Sequence, residues 1–165
     1  MRGRPVERSP HCQRRLPGRA SLKPSPRCAP PNDSDVAHYV DTSALVKLVV
    51  AEPETEALRA WLTEAEPTLV ACDLVRTELL RTVRRAAPDR VVDARDVLDA
   101  ITLVEVTPAV FEAAGRLDPS TLRTLDAVHL ASALDLGDDL DAFVTYDDRL
   151  ASAAELCGVR VIAPR

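Results

Sequence analysis

The fold of this 165-residue chain is decided by residues 39–48, which read YVDTSALVKL. A short apolar run there ends on a single carboxylate, Asp41, and the apolar residues that follow it, Leu45 and Leu48, recur at helical spacing. The pattern predicts a strand that gives way to a helix at Asp41. Open parallel α/β sheets bind ligands beyond the carboxyl ends of their strands, so Asp41 is a candidate functional residue.

The same alternation of apolar runs and helical patterns continues to the end of the chain. The first predicted helix occupies residues 42–51, the second starts at Pro53, and the third has Asp73 as its N-cap. Further helices are predicted over residues 89–100, 108–117 with Thr107 as the cap, 124–136 and 147–157. Predicted strands occupy residues 36–40, 67–72, 101–106, 142–146 and 159–163. Strands that alternate with helices predict a parallel sheet of about five strands with helices on both faces, a three-layer α/β/α domain over residues 36–165.

In the helix predicted over residues 124–136, the inward face is expected to carry Leu125, Val128, Ala131 and Leu134. The small alanines of this helix permit close packing. The core as a whole is expected to be aliphatic, because the chain contains only two Phe, two Tyr and one Trp.

Residues 1–35 differ in composition from the rest of the chain. They hold eight Lys and Arg against three acids and seven of the thirteen prolines, whereas residues 36–165 hold thirteen Lys and Arg against twenty-three acids. With few large apolar side chains, the basic segment cannot bury enough surface to offset its ordering entropy and is predicted to be disordered. We expect it to be dispensable rather than a targeting signal, and translation that starts at a valine codon would begin at Val36.

Several classes of protein are excluded by composition. No apolar run approaches the roughly 20 residues of a spanning helix, so a membrane protein is excluded. Five glycines and no Gly-rich phosphate loop argue against a dinucleotide-binding turn. The cysteines match no zinc-site spacing, and two free thiols in the domain, Cys72 and Cys157, favour a reducing cytoplasm.

Four carboxylates are predicted to meet at one rim of the sheet. Two of them end strands, and two lie early in helices that start at the same rim: Asp41, Glu78, Asp126 and Asp147. Each also has an ordinary structural explanation. Asp41 is a plausible N-cap, Asp126 and Asp147 are first-turn acids, and Glu78 can pair with Arg81 or Arg85 on its own helix.

Carboxylates that crowd together repel one another unless a cation lies between them. A site made only of oxygen ligands suits Mg²⁺, for which Mn²⁺ can substitute. Such a site would hold either one ion or two. Such ions activate water and stabilise the leaving oxygen in phosphoryl displacement. His129, one turn beyond Asp126, is interpreted mainly as a packing residue, with substrate contact as the alternative.

Four motifs in order, YVDTSALVKL, RTELLR, TLDAVHLASAL and VTYDDRLASAA, followed by GVRVIAP, resemble those of PIN-domain nucleases, specifically the VapC-type ribonuclease toxins of type II toxin–antitoxin systems. The resemblance covers residues 36–165. It implies a PIN-like fold and a Mg²⁺-binding quartet in which Asp41 and Asp126 are the principal ligands and Thr145 helps to orient the site. The Thr-x-Asp spacing favours Asp147 over Asp148 as the fourth acid.

The resemblance also implies partners: RNA, with transfer or ribosomal RNA as the expected class, a cognate antitoxin protein and a second copy of the chain. One dense basic stretch lies near Glu78 and comprises Arg76, Arg81, Arg84, Arg85 and Arg90. It can hold the RNA backbone, with Arg81, Arg84 and Arg85 as the candidate contacts beside Thr145. The equally weighted alternative is a solvated helix face that pairs with the Asp-rich helix after it.

Two other classes of function remain open from sequence. A receiver-type phosphoryl-transfer domain also clusters acids at a sheet rim, but it needs a lysine late in the chain, and Lys47 is the only lysine after residue 35. A catalytically silent PIN fold that serves as a binding module would tolerate loss of the acids, and all four acids are present.

Overall fold

The computed structural model describes residues 36–165, and the extension predicted for residues 1–35 lies outside this part. Five strands form one fully parallel sheet in the order β3-β2-β1-β4-β5. Their bounds are β1 Ala37–Val40, β2 Thr68–Cys72, β3 Thr102–Val104, β4 Leu140–Val144 and β5 Val161–Ile162. The predicted fold class is confirmed. Within the described residues, no helix has the length and apolar character needed to cross a membrane.

Within residues 36–165, seven α-helices connect and flank the strands. They are α1 Thr42–Val49, α2 Thr55–Ala65, α3 Leu74–Ala86, α4 Val91–Asp99, α5 Pro108–Ala114, α6 Thr124–Leu134 and α7 Asp148–Leu156. Two short 3₁₀ turns, Pro88–Arg90 and Gly137–Asp139, precede α4 and β4. Thr107 caps α5 through its side chain and Pro108 occupies the first turn, as the sequence predicts.

The sheet has an aliphatic core on each face because side chains alternate along a strand. Val40 and Val144 point into a core shared with α1, α2, α3 and α4. Tyr39 and Phe143 point the other way and stack with ring centroids 5.1 Å apart, in a core shared with α6 and α7. Helix α5 packs on α6 through small and branched side chains.

The four predicted acids are expected to gather where the neighbouring strands β1 and β4 end. From the central strand β1 the chain passes to β2 on one side, and it later returns to β4 on the other. Val40 is in register with Val144, and the Asp41 N–H donates to the Val144 carbonyl at 3.2 Å. Such a reversal of strand order opens a crevice beyond the carboxyl ends of the strands, and Asp41 lies at its floor.

Some predicted details are wrong. β4 starts and ends two residues before the predicted strand, so Thr145 and Tyr146 belong to the loop that leads into α7. Leu125, predicted to face inward, is 47% exposed. It lies in the first turn of α6, before the segment from Ala127 to Ala133 that is buried throughout. Asp73 precedes α3 but makes no capping hydrogen bond through its side chain, which pairs with Arg76 instead.

Candidate active site

Asp41 is buried at the start of α1, with 5% of its surface exposed. Its Oδ1 accepts hydrogen bonds from the Ala44 N–H at 3.2 Å and the Ser43 hydroxyl at 2.7 Å. Its Oδ2 accepts one from the Thr145 hydroxyl at 3.0 Å. Asp41 is thus the N-cap of α1, and every one of these donors also fixes the direction of its carboxylate.

The charge on Asp41 is poorly compensated despite these donors. Burial raises the pKa of its carboxyl group, and the hydrogen bonds from Ser43, Ala44 and Thr145, with the charge of His129, offset that rise only in part. The surroundings of Asp41 therefore disfavour the charged form of its carboxyl group.

Two hydroxyl groups join the β4–α7 loop to α1. The Ser43 hydroxyl accepts the Tyr146 N–H at 2.8 Å, and the Thr145 hydroxyl accepts the Asp147 N–H at 3.1 Å. Thr145 is only 1% exposed, so its hydroxyl faces Asp41 rather than solvent. This arrangement agrees with an orienting role. Ser43 was not identified from the sequence, although its place two residues after Asp41 is the available signal.

Glu78 does not pair with the arginines of its own helix. Its Oε2 accepts hydrogen bonds from the Thr42 hydroxyl and from His129 Nε2, the latter at 2.8 Å. Burial raises the pKa of Glu78, but the hydrogen bonds from His129 and Thr42 outweigh it and leave the pKa below its usual value. Glu78 is therefore an ionised carboxylate tied to the residue that follows Asp41.

His129 is more than a packing residue. It is 3% exposed, and both ring nitrogens are engaged: Nε2 with Glu78, and Nδ1 with the Tyr39 hydroxyl at 3.0 Å. Burial lowers its pKa, but hydrogen bonds and charge from Cys72 and Glu78 raise it to about 10. The sequence signal for this role is its position three residues after Asp126, on the same side of α6.

Asp126 and Asp147 form the other half of the site. Asp126 lies in the first turn of α6, and its Oδ2 is buried without a hydrogen-bond partner among residues 36–165. Burial raises the pKa of Asp126, and the charge of Asp147 raises it further. Asp147 is the N-cap of α7, with its Oδ1 accepting the N–H groups of Arg149 and Leu150 at 2.9 and 3.1 Å.

The four acids lie in one region of the molecule, but their carboxylate oxygens do not converge on a single point. The charge of His129 influences the pKa of Asp41, Glu78 and Asp126, and Asp147 influences Asp126. Within residues 36–165, no three His, Cys, Asp or Glu side chains stand in a metal-binding arrangement. The donor atoms are all carboxylate oxygens, one of them, Asp126 Oδ2, is buried without a partner among residues 36–165, and Asp147 acts on the same carboxyl group, so the chemistry of the donors, rather than their present spacing, suits a hard divalent cation.

The predicted basic stretch divides into two parts. Arg76 pairs with Asp73 and Arg90 pairs with Asp93, so these two arginines fit the alternative of a solvated, ion-paired face. Three arginines line an open cavity of about 270 Å³ and form no ion pair with residues 36–165, namely Arg81, Arg84 and Arg85. A larger cavity of about 410 Å³, between α5 and the start of α6, contains none of the four acids.

Comparison with known proteins supports the resemblance seen in the sequence. The family model of the PIN domain matches residues 38–156. Ribonuclease VapC46 of Mycobacterium tuberculosis is 44% identical over 128 residues, which cover 78% of this chain and 98% of that protein. Ribonuclease VapC47 of the same organism is 42% identical over 130 residues, 76% of this chain and 96% of that protein.

Solved structures share the fold at lower identity. The crystal structure of M. tuberculosis VapC20, described as a toxin that cleaves the sarcin–ricin loop, has a TM-score of 0.61 and 19% identity over 70% of this chain and 93% of that chain. VapBC2 of Rickettsia felis, bound to a promoter DNA fragment, also has a TM-score of 0.61, with 12% identity over 79% of this chain and all of the matched chain. The chain belongs to the PIN-domain family and, within it, to the ribonucleases named VapC.

Proposed function

We propose that this protein is the toxin of a toxin–antitoxin pair and that it cleaves RNA in the cytoplasm as a metal-dependent endoribonuclease. Asp41, Glu78, Asp126 and Asp147 are the proposed ligands of Mg²⁺ or Mn²⁺, with Asp41 and Asp126 as the principal ones. The observation that carries the proposal is the buried Oδ2 of Asp126, which has no hydrogen-bond partner among residues 36–165. The negative charge of Asp147 also raises the pKa of this carboxyl group. A cation would supply the missing partner and neutralise both acids.

The residues around the acids fix the geometry of the reaction. Ser43 and Thr145 hold the Asp41 carboxylate, and backbone N–H groups of α7 hold Asp147, so two acids from opposite sides of the crevice are oriented before RNA arrives. A divalent ion bound there supplies activation of water and neutralisation of phosphate charge. Arg149, whose guanidinium lies 3.7 Å from Asp147, limits the negative charge near the incoming phosphate.

RNA is proposed to approach along α3. The chain carries a net charge of -5, so phosphate contacts need a local concentration of cations. Arg81, Arg84 and Arg85 provide it, because they follow Glu78 on the same helix and form no ion pair with the described residues. Transfer or ribosomal RNA is the proposed substrate class, and the structurally similar VapC20 is described as a toxin that cleaves the sarcin–ricin loop.

The proposed partners are a cognate antitoxin and a second copy of this chain. Support for the antitoxin comes from the likeness in fold to toxin–antitoxin complexes such as VapBC2. A protein that covers the crevice between β1 and β4 would block all four acids at once. Loss of the antitoxin would uncover the crevice and leave the free toxin active.

Cleavage of total RNA by the full chain tests this function. Wild type with Mg²⁺ is expected to give discrete fragments, whereas EDTA or either of Asp41→Asn and Asp126→Asn is expected to abolish them. Asp138→Asn, in the 3₁₀ turn before β4, is the matched control and should cleave normally. Fragments that persist in EDTA or in the Asp41→Asn protein would contradict the metal mechanism. Wild type that is inert on every RNA would favour a catalytically silent binding module.

A further inference from the structure

A chain of buried hydrogen bonds runs from the core of the sheet to the acidic site. The Cys72 N–H donates to the Tyr39 hydroxyl at 3.1 Å, and that hydroxyl is hydrogen-bonded to His129 Nδ1 at 3.0 Å. His129 Nε2 then reaches Glu78 Oε2 at 2.8 Å. Tyr39 is fully buried and stacks on Phe143, so this series of hydrogen bonds begins in the packed core.

The contacts of the imidazole ring direct its Nε2–H group toward Glu78. At 2.8 Å from the carboxylate oxygen Oε2 of Glu78, His129 Nε2 is the donor and the carboxylate is the acceptor. On the other side of the ring, Nδ1 is contacted by the Tyr39 hydroxyl at 3.0 Å and by Cys72 Sγ at 3.6 Å, and these contacts restrain the rotation of the ring. The imidazole therefore presents one fixed donor to Glu78.

The donor acts on one particular oxygen of Glu78. His129 and Thr42 both contact Oε2, so Oε1 is the oxygen of this carboxylate left for a ligand. These contacts join three helices, because Thr42 lies on α1, Glu78 on α3 and His129 on α6. Helix α6 also carries Asp126, so one helix would supply a ligand and orient another.

We propose that His129 is a positioning residue that, braced by Tyr39, holds Glu78 with Oε1 directed into the metal site. The role rests on the proposed metal-dependent ribonuclease function. Groups that hydrogen-bond a ligating carboxylate typically contribute about 10–100-fold in metal affinity or activity. His129 itself is buried and touches neither RNA nor the ion.

The test measures Mn²⁺ binding by the full chain through the electron paramagnetic resonance signal of the free ion. His129→Leu removes the donor and is expected to weaken Mn²⁺ binding about 10–100-fold. His129→Gln keeps an N–H donor at similar reach and should recover most of that affinity. In RNA cleavage, His129→Leu should lower kcat and leave KM unchanged, because Glu78 does not bind the RNA backbone.

A second variant covers the case in which His129→Leu fails to fold. Tyr39→Phe removes only the hydroxyl that braces the ring, and it is expected to weaken Mn²⁺ binding several-fold, less than loss of the donor does. Mn²⁺ affinity that is unchanged in Tyr39→Phe, or in a folded His129→Leu protein, overturns the proposal. Equal losses in His129→Leu and His129→Gln overturn it as well, since only packing would then matter.

Failure of the positioning role can be told apart from failure of the proposed function. Asp41→Asn, run in parallel, should abolish Mn²⁺ binding. Wild type that binds Mn²⁺ and cleaves RNA beside an unaffected His129→Leu protein refutes the positioning role alone. Wild type that neither binds Mn²⁺ nor cleaves RNA refutes the metal site and, with it, this role.

Discussion

Asp126 is a side chain that the folded protein holds at a cost to its own stability. Burial and the charge of Asp147 raise its pKa, so the folded state keeps this proton to higher pH than the unfolded chain does. Below the unfolded-state pKa of 3.8, Asp126 is protonated in both states and its contribution to the free energy of unfolding is complete. That contribution is lost as the pH rises through the raised pKa of the folded state. A carboxylate that costs stability at this place fits the proposed role of Asp126 as a metal ligand.

Replacing Asp126 with Asn should therefore stabilise the protein while abolishing cleavage. Asn has the shape of the protonated acid and needs no cation, so in EDTA at pH 7 the melting temperature should rise, by about 2–4 °C for each kcal/mol gained. The gain should shrink as the pH is lowered toward 4. Differential scanning calorimetry at both pH values measures it, and a lower melting temperature at pH 7 would refute the argument.

Asp147 and Asp148 are neighbours with different surroundings. The Asp147 carboxylate accepts hydrogen bonds from two backbone N–H groups, and its charge raises the pKa of Asp126. The Asp148 side chain, in contrast, is 95% exposed. We expect Asp147→Asn to lower cleavage by at least about 10-fold, as loss of a metal-site group does, and Asp148→Asn to leave it nearly unchanged. Initial rates on one RNA compare them. The reverse result would assign the fourth acid to Asp148.

Residue patterns alone predict roles whose partners are close in the chain, whereas the role of Thr145, whose partner Asp41 is 104 residues away, was predicted only through the family resemblance. Asp41 as a cap needs only Ala44, three residues away, and its prediction is confirmed. His129 and Ser43 act through Glu78 and Tyr146, which lie 51 and 103 residues away. No periodicity reports such distant pairs. Their hydrogen bonds depend on how strands and helices meet in space.

Lys47 joins α1 to the start of α2. Its ammonium group is buried, pairs with Glu52 and with Glu54 at 2.7 Å, and lies 4.7 Å from the centre of the Tyr146 ring. Burial lowers the pKa of Lys47, but hydrogen bonds with both glutamates outweigh it, so the pKa is raised. The stabilisation is complete below pH 10.5 and is lost as the pH rises through the raised value.

Lys47→Met is expected to destabilise the protein by about 1–3 kcal/mol, because two glutamates then lose a charged partner. Urea unfolding at pH 7 measures the change. Arg90→Met, which breaks the exposed pair with Asp93, is the matched control and should cost less than about 1 kcal/mol. Equal effects of the two variants would show that burial adds nothing to the Lys47 pairs.

The order and type of the strands and helices followed from the sequence, whereas their ends and faces did not. Apolar runs located all five strands, but the predicted β4 continued to Tyr146 because residues 145 and 146 look equally suitable for a strand. In the structure the Thr145 and Ser43 hydroxyls turn the chain there. Leu125 was misplaced because α6 is buried nearly all round, and a helix without a polar side shows no clear face.

The distribution of charge over the molecule limits how it can bind RNA. Changing Arg81, Arg84 and Arg85 together to Gln should raise KM with little change in kcat. For single-stranded RNA, the slope of log affinity against log salt should also become shallower, by up to about 0.7 for each phosphate that an arginine neutralises in the wild type. Filter binding with the inactive Asp41→Asn protein measures the slope. Arg160→Gln, just before β5, is the control and should change it little.

The pairing of β1 with β4 has a consequence during synthesis. Asp41 contacts Thr145, more than a hundred residues later, and β1 cannot complete its hydrogen bonds until β4 has been made. During synthesis, therefore, Asp41 emerges from the ribosome before Asp147 has been added to the chain. Contacts of such long range also form late in folding. We expect a chain arrested before residue 140, which lacks β4 and Asp147, to have no nuclease activity until synthesis is completed.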